Sequence, residues 1–217
     1  MLTLAVDTTA EFGSIALADA DGVRNEMLLH EPKGFSGVLF WQIAGLLARQ
    51  EIRLEDIELF AGASGPGSFT GVRIGLAAVK GLGEVLGKPV IAISNLEALA
   101  EFGTAELRAT VIDARRGEIF GALFDSAGGQ VIPEMVISFP KFLELLENRE
   151  VEWVSTDFGP FRDSLTGAQL TLAPRALAGT IAQIAMRRFA AGAPADPAVV
   201  DANYVRRSDA ELLWKEQ

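Results

Sequence analysis

A glycine-rich turn, Ser64-Gly65-Pro66-Gly67-Ser68-Phe69-Thr70-Gly71-Val72-Arg73-Ile74-Gly75, runs straight from an apolar run into a helical pattern. The apolar run Ile57–Ala63 reads as a buried strand, and Phe69–Leu86 reads as a helix. Strand, glycine turn and helix in immediate succession point to an α/β architecture. Such a junction can also turn backbone N–H groups toward an anion at the helix N-terminus. A tight turn that needs only small residues accounts for the same composition. The segment is not G-x-x-x-x-G-K-[ST], because Lys80 lies too far along. Nor is it G-x-G-x-x-G, because Thr70 stands where the third glycine would fall.

The pattern around this turn extends to the whole chain. Leu2–Val6, Ser14–Ala18 and Val23–Leu29 read as strands, the last two joined by the turn Asp19-Ala20-Asp21-Gly22. A helix is expected over Ser36–Gln50, a strand at Pro89–Ile93, and a third helix opening on the capping box Ser94-Asn95-Leu96-Glu97. Then the pattern begins again. Leu107–Ile112, Ile119–Phe124 and Val131–Ile137 read as three strands, followed by helix Pro140–Asn148 and strand Val151–Val154. A short helix near Phe161, a strand near Leu170–Leu172 and helix Pro174–Ala191 follow, and Val199–Arg206 reads as an edge strand. Three antiparallel strands followed by alternating helices and strands, stated twice, is the pattern of a duplicated ribonuclease-H-like unit. The expected lobes are 1–103 and 104–217, with helix 174–191 packing back between them.

Of the 217 residues 49% are hydrophobic and the mean hydropathy is +0.26, yet no run of about eighteen uncharged apolar residues exists. A membrane span is therefore not expected. The chain starts on an apolar strand with no basic leader, and it has no cysteine, which together suit a reducing cytoplasm. A net charge of −10 makes independent nucleic-acid binding a poor expectation. High apolar content without a span suggests that another protein covers part of the surface.

Few residues here can do chemistry. Asp7, Thr8 and Thr9 fall in the first hairpin, where a carboxylate and hydroxyls can hold a phosphate or a magnesium-bound water. Capping a hairpin is the simpler role for the same residues. Asp113, Arg115, Arg116 and Glu118 occupy the matching hairpin of the second half, as a second phosphate loop or a solvated turn. His30 is the one histidine, and no G-x-S-x-G elbow exists, since Gly62-Ala63-Ser64-Gly65-Pro66 ends in proline. Thiolate or imidazole metal sites lack their ligands, while an all-carboxylate magnesium site stays open; no resident metal or other cofactor is the expectation.

The two helices of the first half carry a different signal. Val38, Leu39, Phe40, Trp41, Ile43, Leu46 and Leu47 wrap much of the first helix, which must then be covered on both sides. The second holds Gly71, Gly75, Gly81 and Gly83 with Ala77 and Ala78, and each interior glycine costs about 1 kcal/mol relative to alanine. Close backbone approach explains such a cost. Gly71 and Gly75 share one face and Ala77 and Gly81 another, and either could seat the helix internally or receive a partner. Taken together, the helices favour an external helical partner over Val38, Leu39, Phe40, Trp41, Gly71, Val72, Gly75 and Ala78.

Leu4-Ala5-Val6-Asp7-Thr8-Thr9, the block Gly65–Gly75, Asp113-Ala114-Arg115-Arg116-Gly117-Glu118-Ile119-Phe120 and Tyr204-Val205-Arg206 resemble the bacterial TsaB (YeaZ) family essentially end to end. The resemblance implies an actin-like (ASKHA) fold of two ribonuclease-H-like lobes. It implies a non-catalytic role in making N6-threonylcarbamoyladenosine on tRNA, as partner of TsaD, which transfers the threonylcarbamoyl group. It further implies that the ATPase TsaE docks at the TsaB–TsaD junction, that the chain pairs with itself when alone, and that tRNA is met only through the complex. Family pairing through the first-lobe helices would map to 36–50 and 69–86, and Asp7, Thr8, Thr9, Asp113 and Arg115 would be vestigial phosphate loops. The histidine pair of TsaD-type proteins has no counterpart here, and Thr156-Asp157-Phe158-Gly159 stands in place of the adenosine-binding glycine pair. Where many relatives have a histidine before the first helix, this chain has Lys33-Gly34-Phe35-Ser36.

Two other functions fit the same residues less well. One is a small ASKHA kinase or ATPase using Asp7, Thr8 and Asp113 around magnesium-nucleotide. The other is a peptidase, which a single histidine and no cysteine make the weakest expectation.

Overall fold

The computed structural model describes residues 1–205. The chain forms two compact units: Met1–Ala98 with Arg175–Asn203, and Leu99–Pro174 with the described residues from Tyr204. The first holds β1 (Thr3–Asp7), β2 (Phe12–Asp19), β3 (Gly22–His30), β4 (Leu59–Gly65) and β5 (Val90–Ser94). Their order is β3-β2-β1-β4-β5, antiparallel among the first three, with β4 and β5 parallel to β1. Helix α1 (Leu39–Arg49) connects β3 to β4 and α2 (Phe69–Leu86) connects β4 to β5, after which α3 (Asn95–Ala100) follows.

The second unit repeats the scheme. It contains β6 (Leu107–Arg115), β7 (Glu118–Asp125), β8 (Gln130–Ser138), α4 (Phe139–Leu145), β9 (Glu152–Ser155) and β10 (Gln169–Leu172). Its order, β8-β7-β6-β9-β10, is that of the first sheet element for element. This is the duplicated ribonuclease-H-like unit expected from the pattern, and the fold is of the actin-like class. Its core gathers Val111, Leu123, Phe142, Trp153 and Phe161, with Phe139 stacked on Phe161 at 5.0 Å.

Strand alternation in the first unit gives the sheet two different faces. Leu4, Val6, Ile15, Leu17 and Leu29 point to one side, where they meet Leu39, Ile43 and Leu46 of α1 and Val72, Leu76 and Val79 of α2. The opposite residues are small: Ala5, Ser14, Ala16 and Ala18, all buried. Helix α5 (Ala178–Ala190) packs on β1 to β5, burying Ile181, Ala182, Ile184 and Ala185. Alanines on the strands let its backbone come close.

The element boundaries show where local forces prevail. The helix expected from Ser36 begins at Leu39, because a turn precedes it in which Val38 N and Leu39 N both donate to the carbonyl of buried Phe35. The helix expected over 140–148 ends at Leu145, and Glu147 and Asn148 take φ of 51° and 63°. The helix expected over 174–191 forms over Ala178–Ala190 and belongs to the first unit, whose first segment ends at Ala98. The tail is not an edge strand over 199–205, and Arg206 lies outside the described residues. Asp196 instead turns the chain, taking Ala198 N on its side chain and Val199 N on its carbonyl. Among the described residues no helix is long and apolar enough to cross a membrane.

Candidate functional site

The first hairpin and the glycine turn are fastened together. Asp7 is 3% exposed; its Oδ1 accepts from Thr9 N at 2.9 Å and Thr9 Oγ1 at 2.7 Å, and its Oδ2 from Asn95 Nδ2 at 3.1 Å. Asn95 Nδ2 also reaches Thr9 Oγ1 at 3.0 Å. Burial pushes the Asp7 carboxyl up, against the pull of the Thr9 and Asn95 hydrogen bonds. Thr8 Oγ1 donates to Gly71 O at 2.7 Å, and Ser68 N donates to Thr9 O at 2.6 Å. A Cβ on Gly67 would stand 2.5 Å from Thr9 O, and one on Gly71 would collide with Thr8 O. Ser68 caps α2, its hydroxyl accepting from Gly71 N at 3.3 Å. The hydroxyls of Thr8 and Thr9 and the Asp7 carboxylate are therefore engaged in holding this corner of the first unit together.

Asp113 and Arg115 behave differently. Asp113 Oδ1 accepts from Arg115 N at 2.8 Å, and the Arg115 guanidinium lies 3.3 Å from Asp113 Oδ2 on a side chain 87% exposed. Arg115, Arg116 and Gly117 all take positive φ in this turn. The turn carries a local Arg115–Asp113 ion pair.

The helices sort the expected partner residues by direction. Phe40 and Trp41 stand outward on α1, 56% and 81% exposed, whereas Leu39 is buried and Val38 half-buried. On α2 the corrected picture is that Gly71, Val72, Gly75 and Ala78 face inward. A Cβ on Gly75 would lie 2.6 Å from Thr8 Oγ1, so these glycines seat α2 on the end of β1. The outward strip is Thr70, Arg73, Ala77, Gly81, Glu84 and Val85, all exposed, and Gly81 has open space where a Cβ would stand. Phe69 and Arg73 begin this strip, with the guanidinium 3.5 Å over the Phe69 ring. Two outward aromatics on α1 and a strip with small residues on α2 thus rise from a single apolar core.

Residues 36–183 match the family model described as TsaD, tRNA N6-adenosine threonylcarbamoyltransferase. The chain is 34% identical over 155 residues to the tRNA threonylcarbamoyladenosine biosynthesis protein TsaB of Bacillus subtilis, covering 69% of this chain and 68% of that protein. The Escherichia coli TsaB is 31% identical over 167 residues, covering 73% and 72%. The chain belongs to the TsaB family. A solved Pseudomonas aeruginosa structure described by its similarity to the peptidase YEAZ superposes with a TM-score of 0.77 at 26% identity, over 94% of this chain and 99% of that one. TsaB-family membership agrees with the resemblance seen in the glycine block and the two hairpins.

Several functional contacts lay beyond the sequence. Asn95 joins the Asp7–Thr9 pair from the start of α3, 88 residues away from Asp7. Ser14 Oγ on β2 accepts from Leu177 N at 3.0 Å and Ala178 N at 2.9 Å, and Glu26 on β3 accepts from Gly179 N at 2.7 Å. These caps on the N-terminus of α5 come from residues more than 150 positions earlier, and no local pattern announces them. The capping box did announce α3: Ser94 Oγ accepts from Leu96 N at 3.1 Å. Its Glu97, however, pairs with Arg188 at 2.7 Å.

Proposed function

We propose that this chain is a non-catalytic, cytoplasmic subunit of the machinery that makes N6-threonylcarbamoyladenosine on tRNA. It pairs with a TsaD subunit through the outward faces of α1 and α2, with TsaE engaging the pair and tRNA met only in the assembly. The observation that carries this reading is the exposure of Phe40 and Trp41 on α1 of a family member whose α2 leaves Ala77 and Gly81 exposed as well. Large aromatics held at the surface typically anchor protein interfaces, and small residues admit a helix at close range. The commitment of Asp7, Thr8 and Thr9 to internal hydrogen bonds supports a corner that holds structure and performs no turnover.

The test is reconstitution. The purified chain alone should transfer nothing, should co-elute with TsaD when TsaE and ATP are present, and should restore modification of tRNA by the mixture. An intrinsic nucleotide-dependent enzyme would behave otherwise: titration with Mg-ATP would give binding and turnover that Asp7→Ala abolishes.

A further inference from the structure

The segment 193–203 leaves α5 and runs along one flank of α2 in the opposite direction to the helix. At its start Ala195 O accepts from Val90 N at 2.8 Å, covering the first open N–H of edge strand β5. Pro197 then lies against Gly83, where a Cβ would stand 3.3 Å from its Cγ. Further on, Lys80 Nζ donates to Val200 O at 2.5 Å, while Val200 itself is 7% exposed in the core shared by α1 and α2. Finally Asn203 N donates to Ser64 O at 2.8 Å, at the glycine turn that opens α2. Contacts with residues 83, 80 and 64 in that order span the helix from its last turns to its entry.

At 100° per residue Lys80 and Gly83 lie on a flank bordering the outward strip of Arg73, Ala77 and Gly81. The inner side of α2 is seated along its length, by Gly71 and Gly75 against Thr8 and by Val79 and Gly83 against Gly62 and Val90. The C-terminal half has the segment 193–203 as its lateral support. Lys80 gives that support a charged hydrogen bond, at a partly buried position where water competes less.

We propose that residues 193–203 form a strap that sets the seating of α2, latched by Lys80 on the Val200 carbonyl. The strip that α2 presents to a partner is then positioned by the C-terminal segment, which need not touch that partner. This last consequence rests on the proposed pairing with TsaD; the strap itself does not.

The experiment compares the full chain with Lys80→Met, which keeps the methylenes and drops the ammonium, and with Val200→Asp, which puts a carboxylate into the core. Amide hydrogen exchange is followed by mass spectrometry, and TsaD affinity is measured on the same samples. Loss of one charge-assisted hydrogen bond should speed exchange in the second half of α2 and in 195–203 by roughly tenfold, with β1 to β3 unchanged. TsaD affinity should fall several-fold in parallel. As a control, Ala77→Glu on the open strip should abolish pairing and leave exchange as in the parent. Two folded variants with parent-like exchange in α2 would overturn the strap, and faster exchange with undiminished TsaD affinity would overturn its positioning role. Should the parent chain itself not bind TsaD, the proposed function fails while the exchange data still decide whether the strap holds α2.

Discussion

The Thr8 hydroxyl donates to the Gly71 carbonyl at 2.7 Å, fastening the exit of the first strand to the opening turn of α2. The two backbones approach so closely that Gly71 has no room for a methyl group against Thr8 O, and Gly75 one turn later has little more. The glycine block is therefore an internal seam. Its neighbours Ala77, Gly81 and Val85 on the outer side of the same helix are exposed.

Substitutions on the two sides of α2 should consequently part company. Gly71→Ala and Gly75→Leu should destabilise the monomer by about 1–3 kcal/mol or more, since the clash is with a backbone carbonyl and a seated threonine. Gly81→Leu should leave the melting temperature unchanged or higher, because it removes a helix-interior glycine into open space, worth about 0.5–1 kcal/mol. Thermal melts of the three variants check this, and a parent-like melt for Gly71→Ala would refute the seam.

Trp41 is 81% exposed and contributes little to the monomer. Trp41→Glu should change unfolding free energy by no more than about 0.5 kcal/mol. If Trp41 anchors the partner, affinity should drop by about 2 kcal/mol or more, roughly thirtyfold. Gel filtration with TsaD and urea unfolding of the free chain separate these effects.

Two buried carboxyls should give pH dependences of opposite sign. Burial raises the Asp7 carboxyl, so its contribution to stability is fully present below its unfolded value near 3.8 and is lost as pH rises through the folded value. Asp7→Asn should then gain on the parent as pH rises from acid to neutral. Its amide can be met by Asn95, whose Oδ1 is buried without a partner and faces Asp7 once that amide turns over. Glu152 is also buried, and burial raises its carboxyl, but hydrogen bonds from Thr171, Ala105 N and Thr104 N and the charge of Arg108 outweigh this and lower it. That contribution is present above the unfolded value near 4.5 and is lost as pH falls through the lower folded value. Glu152→Gln should cost about 1–3 kcal/mol at pH 7, with the gap closing in acid. Denaturant titrations from pH 3 to 7 check both, and parallel curves for either variant against the parent would contradict its assignment.

Ser14→Ala should cost about 1–3 kcal/mol by leaving Leu177 N and Ala178 N without their acceptor. Burial, together with the Asp7 charge, raises the Glu26 carboxyl against the pull of Gly179 N, so Glu26→Gln should cost less. Equal losses in the two variants would show that the caps are not distinguished by charge.

Much of this was legible in the chain. Apolar runs such as Leu2–Val6 and Ile57–Ala63, glycine at the turn and the Ser94 cap are local signals, and each produced the expected element. Direction around α2 was not legible, because Gly71, Gly75, Ala77 and Gly81 are equally small and only the position of Thr8 tells them apart. The place of α5 was equally hidden. Its apolar stripe fits any sheet face, and what selects the first sheet is a row of alanines and a serine hydroxyl far upstream. The tail misled because Val199 and Val200 suit a strand, whereas Asp196 and Pro197 before them impose a turn.

The hydroxyl of Ser14 waits for a partner that the ribosome supplies only after residue 178 has emerged. Until then the first sheet is bare on its alanine side, while the whole of Leu99–Pro174 is made and can fold in between. The half of the molecule that begins first is thus completed last, and a nascent chain stalled before α5 would offer chaperones an open sheet instead of a finished lobe.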